Sequence, residues 1–357
     1  MDGKENDPVW TEAQWASEFT QYEPYESRQP TQQTAFKIAY DDNNFYALIR
    51  CFDHPDSIQT RLTRKDDMDG DLAAIQIDSY FDHRTAFVFM VSAAGVKTDY
   101  IISEDGQKED YTWDPIWYVK TTIDAKGWMA EIRIPLSQLR FWPQSEHIWG
   151  LQVVRYLYRK QELSLWQPVP RDASGWVKRF GKLEGINHIR PRRQIEIAPY
   201  IVASAETYPA EKDNPFSKGK DFRGKFGIDG KVGLTNNMIM DLTINPDCGQ
   251  VEADPSEVNL TAYETYFVEK RPFFIEGKNI FDFPVIADEG SSSQENLFYS
   301  RRIGRPPQRK LVLSSHMYAS VPDYTKILGA AKITGKTANG LSIGILESVT
   351  SEEYAKI

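Results

Sequence analysis

Regular alternation of apolar and polar residues is the feature of this sequence that most restricts its fold. Between residues 127 and 135 every second side chain is apolar: Trp128, Ala130, Ile132 and Ile134. The charged Glu131 and Arg133 fall between them. Successive side chains of a β-strand point to opposite faces, whereas a helix would bring residues three and four apart together. Similar short runs recur between turns with almost no helical periodicity, so the sequence predicts an all-β fold that begins with a β-sandwich.

The distribution of tryptophan predicts two domains. All nine tryptophans lie between Trp10 and Trp176, in a chain of 357 residues. The segment INHIRPRRQ that follows is typical of a linker. We therefore expect a sandwich over residues 1–190 and a second domain over residues 195–357.

The second domain is expected to be an antiparallel sheet. Residues 228–234 and 238–245 alternate, and a later pair of strands reads as a hairpin with Asn339 and Gly340 at its turn. Fewer strands follow residue 194 than the eight or so that close a membrane barrel. The expectation is therefore part of a truncated β-barrel.

A long insertion at residues 245–300 interrupts these strands. Loops of this length in compact domains are usually functional or capping elements. Its aromatic residues are expected to anchor it by packing: Tyr263, Tyr266, Phe267, Phe273 and Phe274. Its acidic residues have two alternative uses: they supply an acid and a base for glycoside hydrolysis, or they form ion pairs in which Arg271 is one partner. These acidic residues are Glu252, Asp254, Glu257, Glu264, Glu269 and Glu276.

Composition narrows the class of partner. The net charge is −9 and the pI is near 5.3, which argues against a nucleic-acid partner.

Cys51 and Cys248 are about 200 residues apart, and we do not expect them to form a disulfide. No apolar stretch is long enough for a membrane helix. No signal peptide pattern begins the sequence, so we expect a chain trimmed at its N-terminus.

Several segments resemble carbohydrate-binding module family 9 in order and spacing. They are DGKENDPVW, DLAAIQID, GWMAEIRIPLSQL, WGLQVVRY, LSLW and FGKLEGI, over roughly residues 3–186. The run from Asn245 to Gly277 resembles a family of unknown biochemical function from Gram-negative bacteria. Its members join such a domain to a C-terminal region thought to form an outer-membrane β-barrel. The resemblance implies a location in the outer membrane or periplasm of the cell envelope.

The family-9 resemblance also implies a sugar held between two tryptophans, whose flat rings cover the C–H faces of the sugar. Trp166, in LSLW, matches the second clamp position. The first clamp position falls near Met68 and the family arginine near Met90.

Three further side chains are candidates for the saccharide site. Trp113 and Trp117 offer a second aromatic wall, or else they pack in the sandwich core. Arg155 lines a cleft, or else it makes an ordinary salt bridge.

The loop RKDDMDGDL offers the only candidate cofactor site. Asp67, Asp69 and Asp71 alternate around Gly70 in a way that suits Ca²⁺. The alternative is a solvated acidic turn, and no other cofactor is expected.

Three functions follow from these patterns. The first is a cell-envelope protein that binds a saccharide or other extracellular polymer. The second is a glycoside hydrolase, although no nucleophile elbow, zinc motif or phosphate loop is present, so an enzyme is the weaker expectation. The third is a structural or export component of the outer membrane that binds no sugar.

Overall fold

The computed structural model of the chain describes residues 1–189, 193–246, 267, 269–281, 283, 296–309, 311–314, 317–337 and 340–357. The chain divides into two compact units, Met1–Arg193 and Gln194–Ile357. Antiparallel strands are the main regular secondary structure of both, so the all-β prediction is confirmed. None of the helices in the described part of the chain is long and apolar enough to cross a membrane.

The first unit contains two antiparallel sheets, whose strands are numbered here in chain order. The four-stranded sheet has the order β2 (Thr34–Tyr40), β3 (Asn44–Phe52), β9 (Gly127–Pro135) and β8 (Tyr118–Asp124). The eight-stranded sheet has the order β1 (Thr20–Glu23), β11 (Glu162–Leu165), β10 (Glu146–Leu157), β4 (Leu72–Asp78), β5 (Ala86–Ser92), β6 (Lys97–Ser103) and β7 (Lys108–Asp110), and β12 (Gly181–Asn187) also pairs with β10.

Alternating side chains from the two sheets form the core of the sandwich. On β9, Trp128 and Ile132 are fully buried, and Ile75 and Ile77 of β4 belong to the same apolar cluster. Burial of these branched and aromatic groups is the main driving force for the sandwich. On the other face of β9, Glu131 is also buried, because a short helix, α1 (Pro8–Glu12), and the residues before it cover that face.

A five-stranded antiparallel meander forms the second unit. Its strands are β13 (Ile195–Thr207), β14 (Lys220–Thr235), β15 (Met238–Ile244), β16 (Ile327–Lys336) and β17 (Ser342–Thr350), in that order across the sheet. A four-residue helix, α2 (Pro272–Ile275), lies between β15 and β16 in sequence. β16 and β17 pair as the predicted hairpin, with Gly340 at a φ of 81°. Asn339 lies outside the described residues.

Candidate functional site

Two aromatic side chains form a platform on the outer face of the eight-stranded sheet, the face turned away from the four-stranded sheet. Trp176 and Tyr22 meet edge to face, with ring centroids 5.8 Å apart and planes at 82°. Both pack against a small apolar cluster on this face that includes Ala74, Val88 and Tyr100. Their rings are partly exposed, so this aromatic platform is accessible to a ligand.

Hydrogen bonds hold Trp176 in place. Its indole Nε1 donates to Gln76 Oε1 at 2.7 Å, and its backbone N–H donates to Asp105 Oδ1 at 3.0 Å. The backbone N–H of Lys178 donates to the same carboxylate oxygen, and the Lys178 ammonium lies 3.3 Å from Asp105 Oδ2. Asp105 therefore fixes the loop that carries Trp176, which lowers the ordering cost of binding a ligand there.

A cation borders the platform. The Arg171 guanidinium lies 5.7 Å from the centre of the Tyr22 ring and 3.3 Å from a carboxylate oxygen of the exposed Glu23. Planar rings beside polar, exposed hydrogen-bonding groups are the combination that binds sugars, because a sugar presents C–H faces and hydroxyl edges. Met90, at the predicted arginine position, packs on this same outer face but supplies no charge.

The structure places Trp166 away from this platform. Its ring packs edge to face on Phe36 of the opposite sheet, with centroids 5.1 Å apart, and it contacts the core between the sheets. A Cβ built on Gly181 would lie 2.7 Å from the Trp166 ring, so β12 covers it closely. Trp166 is partly buried, and its described contacts are packing contacts.

Trp113 and Trp117 lie inside the sandwich. They are 5% and 1% exposed, and the Trp117 indole N–H donates to Asp99 Oδ2 at 2.9 Å. Trp113 packs against two phenylalanines of β5. This is the core-packing alternative stated above for both residues.

Arg155 is buried between the two sheets. It donates to the carbonyl oxygens of Gln33 at 2.8 Å and Phe52 at 3.0 Å, and it lies 3.5 Å from Asp53 Oδ2. Asp53 also binds Arg159 through both of its oxygens. Arg155 therefore links β10 to the end of β3 and to the start of β2, and it does not line the platform.

The three candidate calcium ligands do not converge. Asp69 pairs with Arg61 at 2.7 Å, and Asp71 is fully buried and accepts the backbone N–H groups of Gln59 and Tyr158. Asp67 is exposed. Across the described residues, no group of three His, Cys, Asp or Glu side chains is placed to hold a metal. The arrangement is that of an acidic turn whose carboxylates bind neighbouring groups.

The sheet of the second unit buries polar side chains on one face. The strand register sets Glu196, Lys231, Asp241 and Lys332 side by side across β13 to β16, and we call these four the charge row. Lys332 is 2% exposed. Its ammonium donates to the carbonyl oxygens of Phe273 and Glu276 and lies 3.4 Å from Asp241 Oδ2.

The opposite face of this sheet is apolar and exposed, and we call it the apolar face. Nine of its large apolar side chains are between 37% and 79% exposed: Ile195, Ile197, Ile201, Phe222, Phe226, Leu242, Ile244, Ile345 and Val349. Paired residues share a face, so the register places all nine on one side. Two charged residues of the strands lie on this face, Lys220 at the start of β14 and Glu347 on the last strand. An exposed apolar patch of this kind marks an interaction surface.

Ion pairs bind the described part of the insertion to the sheet and to a later segment. Arg271 makes a bidentate pair with Glu269, and Glu276 binds Lys231 at 2.7 Å. Phe273 and Phe274 are buried, as expected for anchors. The predicted pairing of Arg271 with local acids is confirmed. Several residues of the insertion considered above lie outside the described residues: Cys248, Glu252, Asp254, Glu257, Tyr263, Glu264 and Tyr266.

Two family models match the chain. Residues 1–163 match the model described as carbohydrate family 9 binding domain-like, and residues 191–357 match a domain of unknown function, DUF5916. The first match confirms the predicted family-9-like character of the N-terminal region. No curated protein matches.

Solved structures similar to part of the chain include two of a carbohydrate-binding module of family 9 from Caldicellulosiruptor kristjanssonii. The complex with cellotriose is 19% identical, covers 54% of this chain and 89% of that chain, and has a TM-score of 0.39. The complex with glucose is also 19% identical, covers 54% of this chain and 91% of that chain, and has a TM-score of 0.39.

Sequence reasoning missed Trp176 and Tyr22. For Trp166, one signal was present in the sequence. Leu163 and Leu165 alternate on β11, so the next residue, Trp166, must point to the opposite face of the sheet from these two leucines. No comparable signal pointed to Trp176, which lies in a loop and reaches the sheet only through contacts distant in sequence.

Proposed function

We propose that this protein binds a saccharide on the aromatic platform of its first unit and is held at the bacterial outer membrane by its second unit. The saccharide part is supported by the match of residues 1–163 to the family-9-like model. The observation that carries it is the accessible, hydrogen-bonded Trp176 beside Tyr22 and Arg171.

A sugar ring lies on Trp176 in this proposal, and its edge hydroxyls meet Arg171 and nearby polar groups. Apolar C–H groups of the sugar are then covered by the ring, while the charged side chain remains at the edge. Arg171 carries donors only, so it binds hydroxyl oxygens.

The test is a glycan array with the full chain, with and without Ca²⁺, followed by calorimetry on the best ligand. Trp176→Ala should weaken binding about tenfold or more, because covering a large apolar side chain is worth about 1.5–3 kcal/mol. Trp15→Ala is the control, since Trp15 is another partly exposed tryptophan of the first unit, 41% exposed and outside the platform.

Trp166→Ala separates the platform from the site implied by the family resemblance. The platform predicts affinity within about twofold of wild type in a folded variant, whereas a clamp at Trp166 predicts loss of binding. A blank array from folded protein would reject the saccharide function and favour a structural or export role.

The membrane part of the proposal is supported by the inverted sheet of the second unit. Its polar side chains are buried and its large apolar side chains are exposed, the reverse of a sheet in water and the pattern of a sheet whose outer face contacts lipid. We propose that β13 to β17 form part of a membrane β-barrel, with the described insertion packed against its inner, polar face.

Flotation of the full chain with phospholipid vesicles tests this. Ile201→Arg places a charge at a position that is 79% exposed on the apolar face, and a charge on a lipid-facing strand costs up to about 2–4 kcal/mol. The floating fraction should fall sharply for this variant and stay unchanged for Leu62→Arg, whose leucine is 85% exposed in the first unit. Wild-type protein that stays with the soluble fraction would refute the membrane assignment.

A further inference from the structure

A second concave site lies at one end of the sandwich, where the turn after β4 meets the segment before β10. It encloses about 330 Å³ and is lined by Ser79, Tyr80, Phe81, Trp142, Gln144, Glu146, His147, Ile148 and Trp149. We call it the end cleft. Ligand pockets usually measure about 300–1,000 Å³, so this one is at the small end of the range and suits a single ring.

The aromatic walls of the end cleft are fixed by packing. Tyr80 and Trp142 lie with ring centroids 5.1 Å apart, and Tyr80 also packs on Phe87 in the core. The Ser79 hydroxyl donates to the Arg140 carbonyl oxygen at 2.6 Å, which joins the turn after β4 to the segment that carries Trp142. The cleft is therefore formed before any ligand binds.

Several polar side chains belong to the lining of the end cleft. The Trp149 indole N–H is buried and has no hydrogen-bond partner among the described residues. The exposed side chains of Gln144 and Glu146 border the opening. Burial lowers the pKa of His147, which therefore adds no positive charge at neutral pH.

These features select one class of occupant. Glu146 is the charged side chain of the lining and accepts hydrogen bonds from hydroxyl groups, while the Arg140 guanidinium is engaged with the Tyr80 hydroxyl. A purely apolar group would leave the Trp149 N–H without a partner, which carries a cost for a buried donor. A pyranose offers C–H faces for Tyr80 and Trp142 and hydroxyl groups for Trp149 and Glu146.

We infer that the end cleft binds one pyranose unit, as a saccharide site separate from the aromatic platform. Its ligand class rests on the proposed function, but its residues do not overlap with the platform. The pyranose lies against Trp142, one hydroxyl oxygen accepts the Trp149 N–H, and another hydroxyl donates to Glu146.

The test uses the full chain and ligand-observed saturation-transfer NMR with glucose, galactose, mannose and xylose. In the Trp176→Ala background, which removes the platform, transfer to at least one sugar should persist. Adding Trp142→Ala should abolish it. Saturation transfer that vanishes with Trp176→Ala alone, or that persists in the double variant, would refute pyranose binding in the end cleft.

A second variant pair guards against misfolding at Trp142. Glu146→Ala removes an exposed carboxylate at the opening, and we expect about three- to tenfold weaker binding at this site. Glu184→Ala, an exposed carboxylate on the neighbouring β12, is the control and should change nothing. Equal effects of the two changes would also count against the cleft.

The outcomes separate the two proposals. If Trp142→Ala abolishes saturation transfer and Trp176→Ala does not change it, the end cleft binds the sugar and the platform does not. The opposite result would leave only the platform. Transfer to benzyl alcohol but to none of the four sugars would identify an apolar groove and refute a pyranose site.

Discussion

Replacing Arg271 with methionine should loosen the α2 segment selectively. The Arg271 side chain is 3% exposed, and its Nε and Nη2 donate to Glu269 at 2.9 and 2.8 Å. Two more bonds of 2.8 Å reach the carbonyl oxygens of Ser300 and Ile303. Methionine keeps a long apolar side chain against Phe274 but leaves the buried Glu269 carboxylate without its main partner.

The expected cost follows from burial. Removing one partner of a buried ion pair usually costs about 3–5 kcal/mol, because the remaining charge stays out of water. The Ser300 hydroxyl, which donates to Glu269 at 2.5 Å, offsets part of this, so we expect about 3 kcal/mol. A loss of that size raises the population of the locally opened segment by roughly a hundredfold.

Hydrogen exchange measured by mass spectrometry on the full chain reports this opening directly. The relevant amides are those of Phe274, Ile275 and Glu276, which bond to Arg271 and Pro272. Their protection should fall about a hundredfold in Arg271→Met, while that of the β3–β9 pair should not change.

Two comparisons decide whether the buried pair is the cause. The double variant Arg271→Met/Glu269→Leu should recover most of the protection, because no charge is then stranded. Arg223→Met breaks an ion pair with Asp221 whose side chains are 44% and 35% exposed, and it should cost no more than about 1 kcal/mol. Unchanged α2 protection in Arg271→Met, or an equal loss there in Arg223→Met, would refute the reasoning.

Three further predictions concern the sandwich. Burial and the nearby Asp82 raise the pKa of Asp78 to about 7. The contribution of Asp78 to the free energy of unfolding is therefore fully present below pH 4 and is lost as the pH rises to about 7. The urea midpoints of unfolding at pH 4.5 and 7.5 should differ less in Asp78→Asn than in the wild type. Burial raises the pKa of the Cys51 thiol to about 12, so in a Cys248→Ser background a thiol reagent should react only after unfolding. Glu131→Gln should weaken the bonds from Gly3 and the Trp10 indole, and should raise hydrogen exchange over residues 2–12 while β4 stays protected.

Alternation in the sequence was sufficient to predict strands, but it does not say which face is buried. On β15 the sequence correctly separates Leu242 and Ile244 from Asp241 and Thr243. The structure exposes the apolar pair and buries the polar pair. The reason is non-local: a segment about thirty residues further along the chain, containing Glu276, covers the polar face.

The candidate site was harder to predict because its parts are far apart in sequence. Tyr22 and Trp176 are separated by more than 150 residues and meet only after β1, β11 and β10 pair. Trp113 and Trp117 look like ligand-binding residues by type alone. Only their burial against β5 and Asp99 shows that they pack in the core.

The charge row also acts as a check on how the strands of the second unit align. A shift of one residue between β14 and β15 would turn Asp241 towards the apolar side of the sheet. A shift of two would place it opposite Asp229 or Gly233 instead of Lys231, in one direction facing a like charge. An apolar face alone tolerates sliding, since one branched side chain packs much like another. The charge row therefore favours one alignment of the strands, which the apolar face by itself does not specify.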